Sequence, residues 1–183
     1  MRKHTHRLTL AALMGLLAVT PALLAQGMSS SKMSSADTKF MKGAATGGME
    51  EVELGKLAAQ KASDPDVKSF GQKMVDDHSK ANDQLQQLAG QKGVTLPTSM
   101  SMMQKHDMAK LEKLSGTAFD KAYVSMMVKD HKKDVAEFQH ESKSAKDSDL
   151  KGWASTTLPT LQDHLKMVQD ISAKMHPTKM SKK

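Results

Sequence analysis

Three Asp-His pairs, Asp77-His78, Asp130-His131 and Asp163-His164, recur in a chain with only one Trp, one Tyr and four Phe. They close the stretches M-V-D-D-H, M-V-K-D-H and L-Q-D-H. Neutral imidazole is a ligand for zinc, copper, iron or nickel, and a carboxylate beside it balances charge. His78, His131 and His164, joined by the carboxylate of Glu51, would therefore make a site for one transition metal ion, with zinc, iron or copper as the candidates. The Asp before each His is turned by roughly 100° around a helix. From there Asp77, Asp130 and Asp163 could accept an imidazole N–H from a neighbouring helix and so orient the ligand. A metal-free arrangement uses the same residues: a buried His paired with an acid satisfies its own polar atoms and fixes helix register, as buried polar groups do in coiled coils.

Either chemistry requires the four residues to meet, and the surrounding sequence supplies the means. Four long helical segments are expected, over about 37–62, 65–91, 118–144 and 148–175. Asp64 caps the second with Pro65 in its first turn, and Gly93 stops it. Thr117 is the expected cap of the third, and Asp147 or Ser148 that of the fourth. Apolar residues recur at spacings of three and four, as in Phe70-Met74-His78-Ala81-Leu85 and Val124-Met127-His131-Val135-Phe138. No segment reads as strand.

Each long helix is about 40 Å at 1.5 Å per residue. Two tight turns and one connector of about 25 residues describe a ferritin-like four-helix bundle, because a plain up-down-up-down bundle needs only short loops. The connector carries a short amphipathic helix, over about 99–114, which either runs along the bundle or packs across one end. Pro159 removes one backbone hydrogen bond inside the fourth helix, so a kink is expected there, or a break into two helices.

Glu51, His78, His131 and His164 each interrupt an apolar seam. Glu51 and His78 lie about equally far from the first turn, and His131 and His164 about equally far from the second, so the four are expected in one layer near mid-bundle. The Glu-x-x-His pattern of di-iron carboxylate proteins is absent, since Val75, Val128 and Leu161 stand three residues before the histidines.

Among the 16 methionines, Met74, Met127 and Met167 suit core packing. Met100, Met102 and Met103, with His106 nearby, form a second candidate: a soft-metal cluster suited to Cu(I), or the packing face of the short helix. No nucleophile constellation or phosphate-cradling glycine loop is present.

The opening M-R-K-H-T-H-R followed by an apolar run to Ala25 has the form of a signal peptide over 1–25. Residues 26–37 then read as a polar linker, 38–175 as the bundle and 176–183 as a basic tail. With no Cys in the chain there is neither a disulfide framework nor a lipid-attachment thiol. Together these features predict a periplasmic or secreted protein. The net charge of +7 comes from the ends, and residues 38–173 are formally neutral. A nucleic-acid partner is not expected, because such proteins carry their basic patch on the folded domain. The tail could instead touch an acidic envelope surface.

The runs M-E-E-V-E-L-G-K-L-A, V-K-S-F-G-Q-K-M-V-D-D-H, L-S-G-T-A-F-D-K-A-Y and L-P-T-L-Q-D-H-L resemble an uncharacterised bacterial envelope family. It is known as domain of unknown function 4142, or predicted outer membrane protein. The resemblance implies a ferritin-like bundle, export and no established activity. Its matching positions are Glu51, the pairs at His78 and His131, Phe119-Asp120 with Tyr123, and Pro159 with His164; Tyr123 joins the three Asp residues as an expected supporting group. Three readings follow, in descending order: a non-enzymatic metal-binding or envelope-stress protein, a structural or interaction protein whose polar layer sets register, and an enzyme with a non-standard metal centre.

Overall fold

The computed structural model describes residues 33–175. The expected signal peptide and basic tail lie outside that range. Five helices follow one another: α1 (Ser35–Lys61), α2 (Pro65–Lys92), α3 (Met102–Glu112), α4 (Gly116–Ser144) and α5 (Ser148–Met175). No strand occurs among the described residues. No helix among them is long and apolar enough to cross a membrane.

Local chemistry sets the boundaries. Ser34 accepts the Asp37 N–H and starts α1 two residues before the end of the expected linker. Asp64 accepts the Asp66 N–H, with Pro65 behind it, and α2 ends at Gly93 in the left-handed conformation (φ 66°). Ser101 and Gln104 form a capping box on α3. Asp147 accepts the N–H groups of Asp149 and Leu150 at the head of α5. The expected cap Thr117 already lies inside α4, which begins at Gly116. Pro159 sits exposed within α5, which continues through it as one helix.

Cross-links between the hairpins fix the topology. Asp37, at the start of α1, accepts the N–H groups of Lys146 (3.2 Å) and Asp147 (2.9 Å) in the α4–α5 turn. Asp120, at the start of α4, accepts those of Ser63 and Asp64, both at 3.0 Å, in the α1–α2 turn. Each hairpin thus grips the other's turn through one buried carboxylate. Lys92, at the end of α2, pairs with Asp147 and Asp149. It follows that α2 ends at one pole of the bundle and α4 begins at the other, so the connector travels the full length. This is the ferritin-like path.

Along that path Val94 and Leu96 pack on the first pole. The short helix α3 then runs beside α1 and α4. Gln104 donates to the Thr46 carbonyl and to Glu50, and further on the Lys61 ammonium meets the Glu112 carbonyl. Helix α3 therefore lies along the bundle and not across its end. Met108 and Leu111 pack inward.

Helices α1 and α2 pack tightly, as do α4 and α5, whereas α1 and α4 touch least among the four adjacent pairs of long helices. The α1 and α2 backbones approach closely at Gly55 and Gly71: a Cβ on Gly55 would lie 2.7 Å from the Gly71 carbonyl oxygen. The interior divides into apolar clusters. One holds Leu54, Phe70, Met74, Phe119, Tyr123, Met127 and Val168, and another holds Met41, Leu85 and Leu150, with Phe138, Ala154 and Leu161 beside it. Glu51, His78, His131 and His164 fall between them in sequence on every long helix, and all four are buried. The interior is thus two apolar blocks separated by a polar layer.

Candidate metal centre

Each helix contributes one polar residue to the layer because each seam is interrupted once, at mid-length. His131 and His164 are fully buried, and His78 is 7% exposed. One ring nitrogen from each lies within 4.8 Å of the other two. Ring centroids are 5.4 to 5.8 Å apart. Phe70 presents its ring edge-on to both His131 and His164 and closes the layer from the apolar side.

Hydrogen-bond partners determine where the protons sit. His131 Nδ1 lies 3.1 Å from the Met127 carbonyl. A carbonyl only accepts, so the proton is on Nδ1. His164 Nε2 lies 2.7 Å from Asp77 Oδ2. Burial pushes the Asp77 carboxyl up, but hydrogen bonds from Lys73 and His164 outweigh it and hold the group below its ordinary value. It is therefore ionised at neutral pH and accepts the His164 Nε2–H. A neutral imidazole has one N–H and one lone pair, which leaves His131 Nε2 and His164 Nδ1 as bare acceptors. These two atoms face each other at 3.4 Å. Two lone pairs do not bond to each other. His78 Nε2 is likewise buried and without a partner.

Protonation does not relieve this arrangement at neutral pH. Burial, reinforced by His131 and His164, lowers His78 to about 3. Burial and His164 lower His131 to about 4. Burial also lowers His164, against the opposing pull of Asp77. The layer therefore presents three neutral imidazoles, with the lone pairs of His131 and His164 facing each other and His78 beside them. Two nitrogens each about 2.0–2.1 Å from one tetrahedral ion stand roughly 3.3–3.4 Å apart, the spacing of the His131–His164 pair.

The other expected site residues fall in different places. Glu51 is 3% exposed and its Oε1 lies 3.7 Å from His131 Nδ1, the protonated face of that ring. It stands outside the set of converging nitrogens. Burial, with Asp134, Asp130 and Glu50 nearby, pushes its carboxyl well above the ordinary range, and its Oε2 has no hydrogen-bond partner. Of the three aspartates, Asp77 alone bonds an imidazole. Asp130 lines a cavity between α1 and α4, and Asp163 is exposed to solvent. Tyr123 is buried among Phe70 and Phe119, its hydroxyl unpartnered.

The methionine group lies on the surface. Met102 is 81% and Met103 75% exposed, Met100 is half-buried and His106 exposed. The packing role expected of the short helix belongs to Met108 and Leu111.

Asp37 and Asp120, which lock the hairpins together, were missed by sequence reasoning as structural groups. Asp37 fell at the boundary between the expected linker and the first helix, and Asp120 entered only through a family motif. Their nearest signal was an acidic residue early in the first helix of each hairpin.

Residues 22–171 match the family model described as domain of unknown function, DUF4142, and the chain belongs to that family. The match does not carry the outer-membrane designation. No curated protein matches the sequence. Among solved structures, the chain is similar to a DUF305 fragment from Deinococcus radiodurans, with 11% identity, TM-score 0.69, and 78% of this chain and 98% of that one covered. It is also similar to CopM in the Cu(I)-bound form, with 14% identity, TM-score 0.66, and 76% and 97% coverage. At these identities the likeness is one of fold.

Proposed function

We propose that this protein is a non-enzymatic metal-binding bundle that holds one transition metal ion, copper(I) foremost, on His78, His131 and His164, with Asp77 orienting His164. The observation that carries the reading is the pair of bare nitrogens 3.4 Å apart in the buried core. A buried clash of acceptors is costly unless a cation lies between them. Charge supports a monovalent ion: the three imidazoles are neutral, and the Asp77 carboxylate one bond away supplies a single negative charge. The similar fold of CopM, described in a Cu(I)-bound form, is consistent with that choice. Zinc and iron also bind imidazole and belong in the same test. The basic-then-apolar opening of the sequence supports export, and metal handling in the cell envelope is the proposed setting.

The test uses untagged protein, loaded anaerobically with Cu(I), Zn(II) or Fe(II), desalted and analysed for metal. One equivalent, lost in His131→Ala while helicity is retained, is expected. Below about a tenth of an equivalent for every metal, the layer is only a register device.

A further inference from the structure

A cavity of about 210 Å³ opens between α1 and α4. Its rim holds the exposed residues Lys133 and Glu137, and its walls the half-buried carboxylates Glu50, Asp130 and Asp134. Its floor includes Glu51 and His78, each more than nine-tenths buried, with Glu51 Oε2 and His78 Nε2 unpartnered. Gln104 of α3 holds one edge through its amide, which donates to Glu50 at 2.7 Å and to the Thr46 carbonyl at 3.2 Å. Thus a passage lined by five acidic side chains and one ammonium, with Glu51 at its inner end held protonated by burial, runs from solvent to a face of the histidine trio. Lys133 is engaged with Glu137 at 3.2 Å and with Asp134 at 3.9 Å.

Resting on the proposed metal-binding reading, we infer that this seam is the route by which a cation reaches His78, with the carboxylates acting as an electrostatic funnel and Lys133 as its brake. The carboxylates are not a second metal site: the histidine trio is the one group of potential ligands with converging atoms among the described residues. Instead, a cleft with low-dielectric walls and one dominant sign of charge concentrates counter-ions and raises their rate of arrival. Burial raises Asp134 to about 7 despite Lys133, so its share of this charge grows as pH rises through 7. A route, unlike a ligand, changes uptake and release by the same factor and leaves affinity alone.

The experiment mixes full-length protein with Cu(I) in acetonitrile and quenches at timed intervals with excess chelator, measuring protein-bound copper; release is followed in the reverse direction. Asp134→Asn/Glu137→Gln is expected to slow both uptake and release by on the order of three- to tenfold, with one equivalent still bound at saturation. Lys133→Gln, an exposed change with little bearing on folding, is expected to speed both, and added salt should shrink both effects. Unchanged rates in both variants would overturn the funnel. So would faster release with lower affinity in the double variant, which would make the acids ligands. A wild-type protein that takes up no copper would instead remove the metal-binding reading beneath it.

Discussion

At the residue scale, the decisive feature is which nitrogen of each ring carries its proton. Asp77 sets this for His164 and the Met127 carbonyl sets it for His131. Replacing Asp77 with Asn keeps the shape but removes the charge and permits the other tautomer. Metal affinity should fall about 10- to 100-fold, measured by competition against a chelator, while stoichiometry at saturation stays at one. The sequence marked the three histidines by their place on apolar seams. It could not distinguish the three aspartates, because a step of roughly 100° around the helix leads somewhere different on each one. On α2 it leads toward α5 and an imidazole; on α4 it leads into the α1–α4 cavity, and on α5 to water. Nor could it place Glu51, whose depth is right but whose carboxylate meets the protonated side of His131.

Protonation also links the site to stability. In the unfolded chain the histidines take protons near 6.5, whereas in the fold His78 does so only at about 3 and His131 at about 4. Between those values the unfolded state binds more protons, so metal-free stability is lost as pH falls below 6.5, by up to about 1.4 kcal/mol per unit and group. Asp134, raised to about 7 from 3.8, has the opposite sign: the fold holds its proton, and that contribution disappears as pH rises through 7. Urea unfolding from pH 4 to 7 should therefore show a flatter acid slope in His78→Gln and a steeper one in Asp134→Asn. Parallel curves for all three proteins would contradict this assignment of protons.

At the element scale, the helices were legible because their signals are local: caps, a proline in the first turn, a glycine at the end and apolar spacing. What holds one hairpin to the other was not, since it joins residues more than fifty positions apart. Asp37 and Asp120 each satisfy two backbone N–H groups of a turn on the opposite hairpin. Hydrogen bonds to charged groups contribute more than neutral ones, so Asp120→Ala should destabilise the protein by about 2–3 kcal/mol. A lower midpoint in thermal or urea unfolding, with helix content retained in the folded state, would register it. A change within about 0.5 kcal/mol would mean the turns are held by packing alone.

At the scale of the whole molecule, a long connector forces the two hairpins into an arrangement in which α1 meets α4 and α2 meets α5. The length of the connector was readable; the groove chosen by α3 was not, because its apolar face is narrow and its two exposed methionines resemble core residues in sequence. That choice matters, since α3 flanks the open α1–α4 seam while the two apolar blocks close the polar layer from above and below. Among the described residues the result is three buried histidines within reach of one another, beside a cleft lined by acidic side chains. The most direct test of that centre is X-ray absorption at the copper edge of the Cu(I)-loaded protein. Scattering from imidazole nitrogens at about 2.0 Å, two or three per copper and without sulfur, is the predicted result. A first shell containing sulfur would move the metal to the surface methionines and contradict the account.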